Sequence, residues 1–171
     1  LSSFGKNKVN RIHGIVSGNL NLWGSLSDIK LKGKTTINKG NLYLPITNTE
    51  YKIRDKTPIF FQDQSIRFIN TELLDSYEKT VATANGNLFH KNFKDWGIDL
   101  DVTSKRLLLF NKTKNLESRF YGKGFLNGKA SFKGPFKSVN LSVSGVTANG
   151  TNIVIPWQEN KGLRYGRHYY G

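Results

Sequence analysis

ATANGNLFHKNFKDWGIDLDV, residues 82–102, ends in seven residues that alternate apolar and non-apolar without a break. Trp96, Ile98, Leu100 and Val102 therefore share one face of a strand, and Gly97, Asp99 and Asp101 share the other. Asn85-Gly86 has the composition of a tight turn. Residues 87–90 read as the end of a preceding strand, and residues 91–95 as a polar connection. The centre of the chain thus reads as a hairpin with one apolar and one polar face.

The same grammar extends in both directions. Upstream, Leu20 and Leu22 alternate with asparagines, and Ile29 and Leu31 alternate with Lys30, Lys32 and Lys34. Lys39-Gly40 reads as a turn, after which Leu42 and Leu44 alternate with Asn41 and Tyr43 up to Pro45. A proline cannot donate to a ladder, so Pro45 marks a strand end or an edge. Asp55-Lys56 reads as another turn; Ile59 with Phe61, and Ile66 with Phe68, define the next two strands. Residues 70–78 hold the one passage that could open a helix, but their apolar period does not outlast one turn, so strand or loop is expected. Downstream, residues 107–110, 119–122 and 124–128 are strand-like. Val139, Leu141 and Val143 alternate with polar residues, and Ile153 and Ile155 do so before Pro156.

Roughly a dozen short strands and no convincing amphipathic helix place the chain in the all-β class, far above the strand content of an average domain. A weak repeat reinforces this. Gly18 and Gly24 correspond to Gly128 and Gly134, the Ile29–Leu31–Gly33 pattern to Leu141–Val143–Gly145, and the stretch from Gly40 to Pro45 to that from Gly150 to Pro156. Repeated hairpins of one polarity suggest a sheet that grows by addition. The expected boundaries are a flank at 1–17, a repetitive sheet domain at 18–157 and a polar, aromatic tail at 158–171.

Composition narrows the chemistry. The 171 residues carry a net charge of +14 and contain no cysteine. Disulfides, thiolate metal sites and a cysteine nucleophile are excluded, and no apolar run is long enough to span a membrane as a helix. His13, His90 and His168 lack metal-ligand spacing and read as ordinary surface or turn histidines. Asp99 and Asp101 are a pair of carboxylates, but they read more simply as the polar half of an alternating strand. No nucleophile elbow, P-loop or dinucleotide fingerprint occurs, and no catalytic residue, cofactor or metal is expected. The lysines are spread along the chain and no RNA-binding signature accompanies them, so a nucleic-acid partner is not expected either.

Several stretches together resemble the middle to C-terminal conserved-domain region of the TamB family, the translocation and assembly module subunit within the AsmA-like envelope proteins. They are residues 40–45 through Tyr51, residues 86–96, residues 106–108 through Asn111, the Phe120-Tyr121-Gly122-x-Gly124-x3-Gly128 pattern, and Gly134-Pro135 through to the approach to Pro156. The resemblance covers roughly residues 18–157, and the tail beyond it departs from the family pattern.

The resemblance implies a long curved sheet, folded lengthwise into an open trough, or β-taco, with an apolar lining. It implies a periplasmic segment of a Gram-negative protein anchored in the inner membrane, carrying phospholipid towards the outer membrane and supporting outer-membrane protein assembly. The partners implied are phospholipid acyl chains and, through other parts of the full chain, an Omp85-type barrel of the TamA kind; no catalytic residues are implied. On this reading the groove is lined by Leu20, Leu22, Ile29, Leu31, Leu42, Leu44, Ile59, Phe61, Ile66 and Phe68 in the first half. In the second it is lined by Trp96, Ile98, Leu100, Val102, Val139, Leu141, Val143, Ile153 and Ile155. The alternative fold is a closed β-sandwich that binds nucleic acid or a polyanionic glycan through its basic surface.

Overall fold

A computed structural model describes residues 11–114 and 120–156. Among these, every regular element is a strand: β1 (Arg11–Gly18), β2 (Asn21–Ser25), β3 (Asp28–Leu44), β4 (Thr49–Ile53), β5 (Thr57–Asp63), β6 (Ser65–Asp75), β7 (Val81–Lys91), β8 (Lys94–Lys112), β9 (Tyr121–Pro135), β10 (Asn140–Thr147) and β11 (Asn152–Val154). All eleven belong to one antiparallel sheet with the order β1-β3-β4-β6-β7-β8-β9-β10, in place of the two facing sheets of the sandwich alternative. Arg11–Gly18 forms β1, which reaches into the expected flank; residues 1–10 of that flank and the expected tail lie outside the described residues.

Three pairs of these strands are halves of longer ones. β4 and β5 both lie between β3 and β6, in registers that differ by one residue across the break, so the pairing β3-β4-β6-β5 closes a ring only because one long strand is interrupted at residues 54–56. In the same way β1 and β2 run along β3, and β10 and β11 run along β9. The described residues thus form a meander of eight long strands. Two expected turns are accordingly corrected to strand interior. Asn85-Gly86 sits in the middle of β7, with Gly86 opposite Leu100, and Lys39-Gly40 lies inside β3. Asp55-Lys56 interrupts its strand without reversing it. Residues 70–75 continue β6, and residues 107–110 are part of the 19-residue β8.

The interruptions form an oblique band across the sheet. Lys39, Lys56 and Asn70 take positive φ angles of 51°, 59° and 45°, and register shifts mark β6, β7 and β8 at the same level. Each bulge frees a backbone group, and a short polar side chain takes it up. Lys39 N donates to Asp55 Oδ1 (2.7 Å), Lys56 N to Asn38 Oδ1 (3.1 Å), Asn70 N to Asn85 Oδ1 (2.8 Å) and Arg106 N to Ser104 Oγ (3.0 Å). Bulges bend strands and increase their twist, so this band curves the sheet over its own inner face. The repeat is also visible: Gly18 and Gly128 have φ of 145° and 151°, and Gly24 and Gly134 have 105° and 120°. β1 and β2 are thus the counterpart of β9.

No second layer exists among the described residues, yet Ile98, Ala130 and Phe132 are fully buried. The inner face covers itself, and one core cluster draws residues from Ile37 on β3 to Phe132 on β9. At the rim holding the turns at 45–48 and 76–80, β4 meets β8 across the two strands between them. Asn111 N donates to Thr47 O (3.0 Å) and Tyr51 Oη to Leu108 O (2.9 Å).

Candidate functional site

Alternation along each strand sets which side chains face inward, and strand order sets how far they are covered. Of the expected lining, Leu42, Leu44, Ile59, Phe68, Ile98, Leu100 and Val102 are buried in the core, and Leu31 is buried as well. Phe61, Ile66, Trp96, Val139 and Leu141 are half-buried against that core, and Ile29 is half-buried. On the outermost strands the residues are open: Leu22 is 67% exposed and Val143 51%, with Leu20 and Ile153 exposed beside them. Ile155 is exposed and lies beyond β11, outside any strand. The inner face is therefore continuous, filled at the centre and uncovered at both edges. At the centre the side chains leave a void of about 20 Å³, lined by Leu42, Ile53, Phe68, Leu73, Leu88, Leu100 and neighbours, with Thr71 as its polar member.

Sequence reasoning missed the polar closure of the 45–48 and 76–80 rim. Asp75 is wholly buried and accepts from Tyr77 N (2.9 Å), Glu78 N (2.9 Å), Thr80 N (3.0 Å) and Thr80 Oγ1 (3.1 Å). The Thr80 hydroxyl in turn accepts from Leu108 N at 2.8 Å. Thr47 and Thr49 share a hydrogen bond of 2.7 Å next to Tyr51, whose phenol burial pushes well above its usual pKa. An aspartate opening a polar turn was the available signal, since such side chains bond backbone N–H groups two or three residues on.

At the opposite rim His90 is buried near the end of β7, which corrects the reading of it as an ordinary surface or turn histidine. Its Nδ1 accepts from Phe93 N (3.0 Å), and the ring stacks on Phe93 and tilts against Trp96, each at 4.6 Å. Burial lowers its pKa below the ordinary histidine value. Asp99 and Asp101 lie on the outer face, paired with Lys133 (3.2 Å) and Lys129 (2.8 Å). Hydrogen bonds from Lys129 and then Ser131 hold the Asp101 carboxyl below its usual pKa. Among the described residues no three metal-ligating side chains converge, and no helix is long and apolar enough to cross a membrane.

These features define an antiparallel β-sheet module that packs on its own apolar inner face. The model of the TamB C-terminal domain matches residues 70–169, more than half of the chain; the chain belongs to the TamB family, a family of envelope proteins. No curated protein sequence and no solved structure matches it.

Proposed function

We propose that this chain is a stretch of a periplasmic bridge, anchored in the inner membrane, whose apolar inner face guides phospholipid acyl chains between the two membranes. It acts without catalysis, and it supports outer-membrane protein assembly with an Omp85-type barrel of the TamA kind engaged by other parts of the full chain. The observation that carries this reading is the continuity of one apolar face across all eight long strands, left uncovered at Leu20 and Leu22 on one edge and at Val143 and Ile153 on the other. A sliding cargo needs grip without specific recognition. Apolar contact at about 25 cal/mol per Å² supplies that grip in proportion to area. The filled centre is the closed state of this path, so carriage requires the two limbs of the sheet to part, and the acyl chain then replaces contacts the limbs made with each other.

A photo-crosslinking amino acid placed in the full-length protein tests this in cells. Adducts with phospholipid are expected at Leu22, Val143 and Leu100, and none at Asp99 on the outer face. Equal labelling at Asp99, or no lipid adduct at any inner position, overturns the reading.

A further inference from the structure

The outer face is not uniform. Across β8 and β9 Asp99 and Asp101 are matched by lysines, in the Asp99–Lys133 and Asp101–Lys129 pairs. Over β3, β5 and β6 the matching is incomplete: Lys30 pairs with Asp28 and Arg54 with Glu72, but the cations between these pairs are left over. Lys32, Lys34 and Arg67 are exposed there, and none has a carboxylate partner among the described residues. Register brings them together, because Lys32 lies opposite Gln62, Lys34 opposite Phe60, and Phe60 opposite Arg67. With strands about 4.8 Å apart, Lys34 and Arg67 flank Phe60 across roughly 10 Å. The three cations and Ile69 line a depression of about 380 Å³. Lys34 Nζ stands 5.8 Å from the centre of the Phe60 ring, and Ile69 is 42% exposed beside it.

We infer that this outer depression docks on an anionic phospholipid surface. Three unmatched cations at the rim suit the phosphates of neighbouring head groups, each ammonium or guanidinium N–H donating to a phosphate oxygen. The apolar floor suits the glycerol and upper acyl carbons below them. A free polyanion would use the cations and ignore the floor; an amphiphile uses both. Cations next to exposed apolar side chains are the composition of a surface that lies in a membrane interface. This surface is distinct from the inner face and holds whether or not lipid travels there.

The test is co-sedimentation of the full chain with vesicles of phosphatidylglycerol and phosphatidylcholine, against vesicles of phosphatidylcholine alone, near physiological salt. The Lys32→Gln, Lys34→Gln, Arg67→Gln variant removes three charges at exposed positions. A variant with Lys52→Gln, Lys105→Gln and Lys137→Gln removes three exposed charges elsewhere. Urea midpoints check that both remain folded. Binding to the anionic vesicles is expected to fall at least about tenfold in the first variant and less than about twofold in the second. Ile69→Ser, with charge unchanged, is expected to weaken vesicle binding about threefold and to leave binding of long-chain polyphosphate alone. Equal losses in the two triple variants overturn the site, since affinity would then follow net charge. A silent Ile69→Ser, with polyphosphate and vesicle binding lost together in the first variant, overturns the lipid in favour of a free polyanion. Failure here leaves the crosslinking result at Leu22, Val143 and Leu100 unaffected, so the two readings fail separately.

Discussion

Leu100 and Asp99 are neighbours in sequence and opposites in environment. Leu100 is 4% exposed within the core, and Asp99 sits on the outer face in an ion pair open to solvent. Leu100→Arg buries a charge among Leu42, Phe68 and Leu88 with no partner, and a loss of several kcal/mol is expected, enough to unfold a domain that has about 5–15 to lose. Asp99→Arg forfeits an exposed pair and places like charges together, so about 1 kcal/mol or less is expected; urea denaturation of both variants checks this. If Leu100→Arg stayed folded, the limbs of the sheet would stand open in solution. His90 gives a pH signature. Burial lowers its folded pKa below the unfolded value, so the unfolded chain binds the proton more readily. Stability is then complete above about pH 6.5 and declines as pH falls from there towards the folded pKa. His90→Asn keeps an acceptor near Phe93 N without titrating, and thermal midpoints between pH 7 and 5 are expected to fall less steeply in that variant than in the native chain.

At the level of elements, the oblique band of bulges makes the bend, and Asn70 is its simplest probe. Its φ of 45° is one that asparagine tolerates and glycine adopts freely, while a β-branched residue resists it. Asn70→Gly is expected to change stability by less than about 0.5 kcal/mol, and Asn70→Val to cost about 1–2 kcal/mol, read from urea midpoints. A Val variant as stable as the native chain would show that the bend does not depend on that angle. The same band explains which parts of the fold were legible. Period-two alternation at Trp96–Val102 reads directly because it is a property of one strand. Asn85-Gly86 and Lys39-Gly40 were misread as reversals because the local chemistry of a bulge and of a turn is the same; only a neighbouring strand on both sides decides between them. Of the two glycines Gly86 is the more tightly faced, since a Cβ there would lie 2.1 Å from Asp99 O. The candidate lining was legible as a face. Its gradation, from buried Ile98 to exposed Leu22, was not, because burial depends on strand order, and strand order is not written in any single strand. The Lys32, Lys34 and Arg67 cluster was hidden for the same reason, as it joins residues from two strands with a third between them.

On the scale of the whole molecule, the rim where β4 meets β8 decides whether the two limbs act as one body. Tyr51→Phe deletes the phenol bond to Leu108 O and leaves that carbonyl without this donor, at an expected cost of about 1–2 kcal/mol. If the rim opens cooperatively, hydrogen exchange at Asn111 N–H, which bonds to Thr47 O across the same rim, is expected to quicken with it. Unchanged exchange at Asn111 alongside lower global stability would mean that the two contacts act independently. The meander itself has a further consequence, one of length. Each long strand crosses the direction in which the sheet grows, so adding a strand advances the structure by only about 4.8 Å, while eight of them occupy residues 11–154, roughly 18 residues apiece. Built this way, a chain works as a ruler with very fine divisions: reach is proportional to strand count, inserting or deleting one hairpin changes the span by about a nanometre, and a long reach demands a very long polypeptide.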